Sequence, residues 1–163
     1  LPIFDKSIDD RAKKQKWKKI NFIPNIIILE GWCVGAKPQN NKLLYKAVNV
    51  LEKKEDSNFR WRNYVNNQLK KKYKYLFDKM NDIIYIKVPN FSLLQKWRLK
   101  QENKLRLKNI KKKSKIMTNS EVLKFMMTYQ RVTEQMFKDM PKIASVIMSL
   151  NKNHQIKNIS YIK

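Results

Sequence analysis

The chain has one cysteine, Cys33, one histidine, His154, and two glycines, Gly31 and Gly35, in 163 residues. A single cysteine excludes an intrachain disulfide and a thiolate metal cluster, and fits a reducing cytoplasm. A single histidine excludes multi-histidine metal sites and histidine relays within the chain, and His154 itself reads as a surface residue of a strand or loop. The glycines do not form a phosphate loop. A Walker A loop requires G-x-x-x-x-G-K-[ST], whereas Gly31-Trp32-Cys33-Val34-Gly35-Ala36-Lys37-Pro38 has the wrong spacing and ends in proline. No apolar run approaches the ~18 residues of a membrane span, and the charged amino terminus lacks the apolar core of a secretory signal. No internal repeat is present. Nucleotide chemistry, if any, must use a loop upstream of Leu1, and the apolar opening Leu1-Pro2-Ile3-Phe4 leads us to expect such a missing segment.

Acids are scarce as well: 13 Asp and Glu against 37 Lys and Arg give a net charge of +24. So strong a positive field attracts polyanions, and nucleoside triphosphate, RNA and anionic membrane all stay open as partners. The same excess of lysine, with abundant asparagine and isoleucine, also arises from adenine- and thymine-rich coding sequence without selection for a partner. The length suits a single domain, residues 1–163, since domains commonly run to ~100–150 residues.

Asn25-Ile26-Ile27-Ile28-Leu29-Glu30-Gly31 is the most informative stretch. Consecutive branched aliphatics predict a parallel strand buried on both faces, ending at a carboxylate. Ligands of open α/β sheets sit beyond the carboxyl ends of the strands, so Glu30 is placed either to hold a hydrated Mg²⁺ or simply to end a core strand and face solvent. Nearer the start, Asp9 and Asp10 suit a helix N-terminus, where negative charge is favoured by about 0.3–1 kcal/mol. Asp5, Lys6 and Arg11 offer the alternative of an acceptor pocket for a small polar anion.

Helical spacing at Leu43, Leu44, Ala47, Val48 and Leu51 follows the loop at 35–41, and a second helix, 58–80, carries an aromatic stripe including Trp61, Tyr64, Tyr73 and Phe77 that predicts packing. Residues 82–89 read as a strand stopped by Pro89, and 91–113 as a long basic helix. On it Arg98, Glu102 and Arg106 stand four residues apart, which predicts an acid between two guanidinium groups. That is either a solvated ion-pair ladder or a device that aims the arginines at phosphates. Lys111 to Lys115 reads as a cationic hinge. Thr118-Asn119-Ser120-Glu121 is a capping box, opening a helix in register from Val122 to Met140 and ending at Pro141. Ile143, Val146, Ile147 and Leu150 suggest a short helix, and 154–162 a last strand. Alternating helices and strands predict parallel α/β architecture.

In order along the chain, Leu1-Pro2-Ile3-Phe4-Asp5-Lys6-Ser7, Leu29-Glu30-Gly31-Trp32-Cys33-Val34-Gly35 with Lys37-Pro38, Trp97-Arg98-Leu99-Lys100-Gln101-Glu102 with Leu105-Arg106, and Tyr129-Gln130-Arg131-Val132-Thr133 form one set. Nearly the whole chain thereby resembles the carboxyl-terminal two-thirds or so of the D-glycerate 3-kinase family and its uncharacterised kinase relatives, P-loop proteins related to uridine and pantothenate kinases. The resemblance implies a partial P-loop kinase core, with parallel strands, flanking helices and a lid-like helical segment. It further implies ATP with Mg²⁺, and phosphoryl transfer to a hydroxyl of a small organic acid such as glycerate. On the same ground Glu30 is the acid near Mg²⁺ and the γ-phosphate, Arg98, Gln101 and Arg106 belong to the lid over the phosphates, and Asp5 and Lys6 lie near the acceptor. The family's Walker A loop and upstream acid have no counterpart here, so the chain alone is expected to be inactive. A basic RNA-binding or ribosome-associated module is the alternative, on Arg60-Trp61-Arg62, Trp97-Arg98 and the lysine runs. A peripheral membrane role ranks third, because the apolar helix faces are needed for packing.

Overall fold

The computed structural model describes residues 1–5, 10–108 and 116–162. They form two compact units, Leu1–Gly31 and Trp32–Lys163.

In the first unit β1 (Phe4–Asp5) pairs antiparallel with β2 (Asp10–Arg11), Phe4 opposite Arg11 and Asp5 opposite Asp10. The ribbon is tied by the Ala12 N–H to the Ile3 carbonyl at 2.8 Å and by the Trp17 indole N–H to the Ala12 carbonyl at 2.8 Å. Residues 25–30 do not form the buried strand expected of them. Among the described residues nothing pairs with them, and Ile26, Ile27 and Ile28 are 79–87% exposed. A run of branched aliphatics encodes a tendency to be buried, whereas a strand exists only through the ladder of a neighbouring strand, which the described residues of this unit do not supply.

The second unit is built on a three-stranded sheet of order β3 (Ile84–Lys87), β4 (Val146–Leu150), β5 (Ile156–Tyr161). β3 and β4 are parallel, with Ile84 opposite Val146, while β4 and β5 form an antiparallel hairpin. A parallel pair needs a long crossover, and here it runs through α4 (Phe91–Lys108) and α5 (Asn119–Ile143). The architecture is therefore mixed α/β with a parallel pair, as expected. Tyr85 and Ile147 point into the core while Ile84 and Ile86 face outward, the two-residue alternation of a sheet covered on one face. The predicted short helix at 143–150 is instead β4. Its apolar run is too short for periodicity to separate helix from strand, and its β-branched residues find a partner on each side.

α5 begins at the capping box: the Thr118 hydroxyl accepts from the Glu121 N–H, and the Glu121 carboxylate accepts from the Thr118 N–H. It continues through Pro141 to Ile143, because a proline in the last turn removes a single hydrogen bond there. Val122 and Met126 form a cluster with Phe91 of α4; Met136 and Met140 pack with Leu69, Tyr85, Ala144 and Ile147 in the main core. Full burial of each such side chain contributes about 1.5–3 kcal/mol.

The expected helix over 43–51 is interrupted. A 3-10 turn, Asn41–Leu44, is followed by α1 (Val50–Glu55), whose start is set by Asn49, its side chain accepting from the Glu52 N–H at 2.9 Å. The helix over 58–80 is realised as α2 (Arg60–Gln68), a π turn (Leu69–Tyr73) and α3 (Lys74–Phe77). Its packing face differs from expectation: Arg62, Asn66 and Leu69 are buried, whereas Trp61, Tyr64 and Tyr73 are exposed. Arg62 and Asn66 are held by polar partners, so apolarity alone does not identify that face. The cationic run Lys111 to Lys115 lies outside the described residues, as does the last part of the predicted 91–113 helix.

Candidate functional site

α4 carries Arg98, Gln101, Glu102 and Arg106 on successive turns. Glu102 is buried at 4% exposure, and its Oε2 accepts from Arg98 Nη1 at 2.5 Å. The predicted ladder is not symmetrical. Glu102 Oε1 accepts from the Met117 N–H at 3.0 Å, and Arg106 turns instead to Asn103 Oδ1 at 3.2 Å and the Met117 carbonyl at 2.9 Å. Glu102 and Arg106 thus clasp both polar groups of one peptide residue just before α5, because a backbone that enters a helix there needs partners more than a second guanidinium does. Arg98 also donates through Nη1 to Gln101 Oε1 at 3.3 Å. Its bonds among the described residues use that one nitrogen, which leaves the rest of the guanidinium fork to meet an anion. Trp97 anchors the same helix to the β4–β5 turn. Its indole N–H donates to the Lys152 carbonyl at 3.3 Å and its ring meets His154 edge-on at 3.9 Å.

Glu30 is exposed in the first unit. No group of three or more His, Cys, Asp or Glu side chains suited to a metal ion occurs among the described residues. A lone exposed carboxylate nevertheless matches the way Mg²⁺ is commonly held, by one or two carboxylates with water and substrate phosphates. Asp5 and Arg11 share the small ribbon, where Arg11 is exposed and its N–H donates to Asp10 Oδ1 at 2.6 Å. Lys6 lies outside the described residues.

Two of the motifs meet in space within the second unit. Trp32 stacks on Tyr129 at 5.2 Å and 14°, and its indole N–H donates to Thr133 Oγ1 at 3.0 Å. The turn it opens closes at Gly35, whose φ of +80° lies in the left-handed region that favours glycine. Beside them Cys33 is half-buried, and burial pushes its thiol pKa up to about 11, so it is not a thiolate nucleophile at neutral pH.

Sequence reasoning missed a buried ionic knot centred on Glu52. Its Oε2 accepts from Arg62 Nη1 at 3.0 Å, Arg131 Nη2 at 2.6 Å and the Val48 N–H at 2.9 Å, and its Oε1 from Arg131 Nε at 2.7 Å. Burial alone pushes the Glu52 carboxyl up, but the bonds from Arg131, Val48 and Arg62 hold it below its ordinary value. Arg131 also donates to the Leu43 and Lys46 carbonyls at 3.1 and 2.6 Å, so it ties α5 to the segment before α1. The one available signal was Arg131 inside the fourth motif.

No family model matches the chain. Its sequence is 28% identical over 135 residues to the uncharacterized kinase mug58 of Schizosaccharomyces pombe, covering 79% of this chain and 46% of that protein. Its structure superposes on a D-glycerate 3-kinase from Cryptococcus neoformans with a TM-score of 0.74 over 99% of this chain and 59% of that one, at 23% identity. The chain is folded like a D-glycerate 3-kinase. The resemblance drawn from the four motifs therefore holds. The chain spans about half the length of the curated relative it matches.

Proposed function

We propose that this chain is part of an ATP-dependent small-molecule kinase that transfers the γ-phosphate to a hydroxyl of a small organic acid such as glycerate. The observation that carries the reading is the shared fold over 99% of the chain with a D-glycerate 3-kinase, and the kinase-named relative supports it. In this reading residues 1–163 form a portion of one kinase domain in the cytoplasm, and the Walker A loop is supplied by a segment outside them. Bound ATP with Mg²⁺ would bring the transferable phosphoryl group and neutralise part of its charge. Glu30 would hold the metal through one carboxylate oxygen, Arg98 and Arg106 would present guanidinium groups to the phosphates, and Gln101 would orient Arg98 beside the nucleotide. Asp5, Lys6 and Arg11 would bind the acid acceptor.

Because phosphoryl transfer depends mostly on positioning and charge stabilisation, the chain without a phosphate loop should not turn over ATP. The test compares this chain with a longer protein that includes the reading frame before Leu1, assayed with Mg·ATP and glycerate. Turnover only in the longer protein, lowered at least 100-fold by Arg98→Ala, is the expected result, in line with losses of ~10²–10³ for single charge-stabilising donors. Turnover by the 163-residue chain would refute the inactivity claim, and no Mg·ATP binding by the longer protein would refute the kinase reading.

A further inference from the structure

α5 has two working faces. At about 100° per residue, Lys124, Arg131 and Gln135 stand roughly opposite Val122, Met126 and Met140 on the helix. The second set packs into the core clusters, whereas the first lines a cavity of about 370 Å³ closed on its other side by α1, α2 and the segment before them. That volume falls within the ~300–1,000 Å³ of small-molecule sites. Leu44, Leu51, Val65, Leu69 and Val132 give it largely apolar walls. Neither Arg98, Gln101 nor Arg106 lines it, so it is distinct from the phosphate-gripping face of α4.

The charges around its walls are uneven. Arg62 and Arg131 pair with Glu52 and Asp56, and Lys124 pairs with Glu55 at 2.7 Å, while no ion pair among the described residues involves Lys37.

We infer that this cavity binds a small amphipathic monocarboxylate, its apolar body against the aliphatic walls and its carboxylate balancing Lys37. The ligand is not the acceptor of the phosphotransfer reading, since a three-carbon hydroxy acid would leave the apolar walls unfilled, and the inference does not depend on that reading. The exposed Lys124–Glu55 pair sits at the lining where such a ligand would enter.

Naphthylacetate is a suitable probe, titrated to millimolar concentration into the full chain with isotope-labelled methionine methyl groups. The Met127 methyl, which lines the cavity, should shift saturably while Met126 and Met140 hold their positions. Thr128→Trp, at an exposed position that borders the cavity, should weaken binding at least tenfold, and unchanged Met126 and Met140 signals would show that the variant is folded. Lys37→Ala should weaken binding severalfold and remove the preference for naphthylacetate over naphthylacetamide. No saturable Met127 shift, undiminished affinity in folded Thr128→Trp, or equally tight binding of naphthylmethylamine would overturn the inference. Should Thr128→Trp not fold, the Met127 response of the unsubstituted chain decides it.

Discussion

Replacing Glu52 by glutamine should destabilise the second unit by about 3 kcal/mol at neutral pH. Glu52, Arg62 and Arg131 have side chains only 12%, 4% and 7% exposed, so Arg131 depends on this carboxylate for compensation and Arg62 shares it with Asp56. A glutamine whose oxygen takes the Oε2 position keeps the bonds from Arg62, Arg131 Nη2 and Val48, but it loses the Oε1 bond to Arg131 Nε and aims an NH₂ at that guanidinium. One lost charge-assisted bond costs about 1.5–3 kcal/mol. Removing one partner of a buried pair altogether costs about 3–5 kcal/mol, and the retained acceptors place the glutamine at the lower end. At about 2–4 °C per kcal/mol for a chain of this size, Tm should fall by roughly 6–12 °C.

The pH dependence gives a second readout from the same pair of proteins. The folded-state pKa of Glu52 lies below its ordinary value of 4.5, so its contribution is fully present above that pH and is lost as pH falls through the folded value. The Tm difference between the original protein and Glu52→Gln should therefore be constant from neutral pH down to about 5 and shrink in more acidic buffer. Circular-dichroism melts across that range measure both. A Tm change of under about 2 °C at pH 7, or a difference that grows on acidification, would refute the reasoning.

Other substitutions probe the remaining supports of the fold. Thr118→Ala removes the hydroxyl that accepts from the Glu121 N–H and should cost about 1 kcal/mol, seen as a urea midpoint shift without a change of slope. Trp32→Leu loses the stack on Tyr129 and the bond to Thr133, about 1–3 kcal/mol together, and hydrogen exchange should rise in the Trp32–Gly35 turn more than in β5. With a thiol pKa of about 11, Cys33 is roughly one part in a thousand thiolate at pH 8, so iodoacetamide should modify the native chain at least about 100-fold more slowly than the urea-unfolded chain. Comparable rates in the two states would show that the turn opens freely.

How much of this was legible depends on whether the deciding interaction is local. α5 could be read because its signals act within a few residues: Thr118 and Glu121 bond each other, and its buried positions recur at helical spacing. β3 was legible for the same reason, its β-branched run being closed by Pro89. The 25–30 stretch and β4 both failed, in opposite directions, because each is a short apolar run whose state is set by neighbours. β4 lies between β3 and β5 and becomes a strand, whereas 25–30 has no strand beside it among the described residues of its unit. Spacing on α4 placed Arg98, Glu102 and Arg106 on one face, yet it did not foresee that Met117, fifteen residues beyond Glu102, would claim one carboxylate oxygen. Apart from the presence of Arg131 in the fourth motif, the Glu52 knot was hidden, since Arg131 is 79 residues away in the chain.

That asymmetry bears on the role proposed for α4 in facing phosphates. A ladder in which Glu102 balanced both arginines would neutralise each guanidinium equally and hold both in solvent. Instead Glu102 and Arg106 fix the helix to the backbone before α5, while Arg98 is steadied by the same carboxylate through one nitrogen. A guanidinium held in this way keeps its orientation without using its whole fork, which reduces the entropy it would lose on gripping a phosphate. On the proposed kinase reading, in a protein extended by the reading frame before Leu1, Glu102→Gln should therefore act through position: it should loosen both Arg98 and the Met117 junction. The expected result is a fall in kcat for phosphoryl transfer that Arg98→Ala does not deepen additively. Fully additive losses would mean that the two side chains act independently.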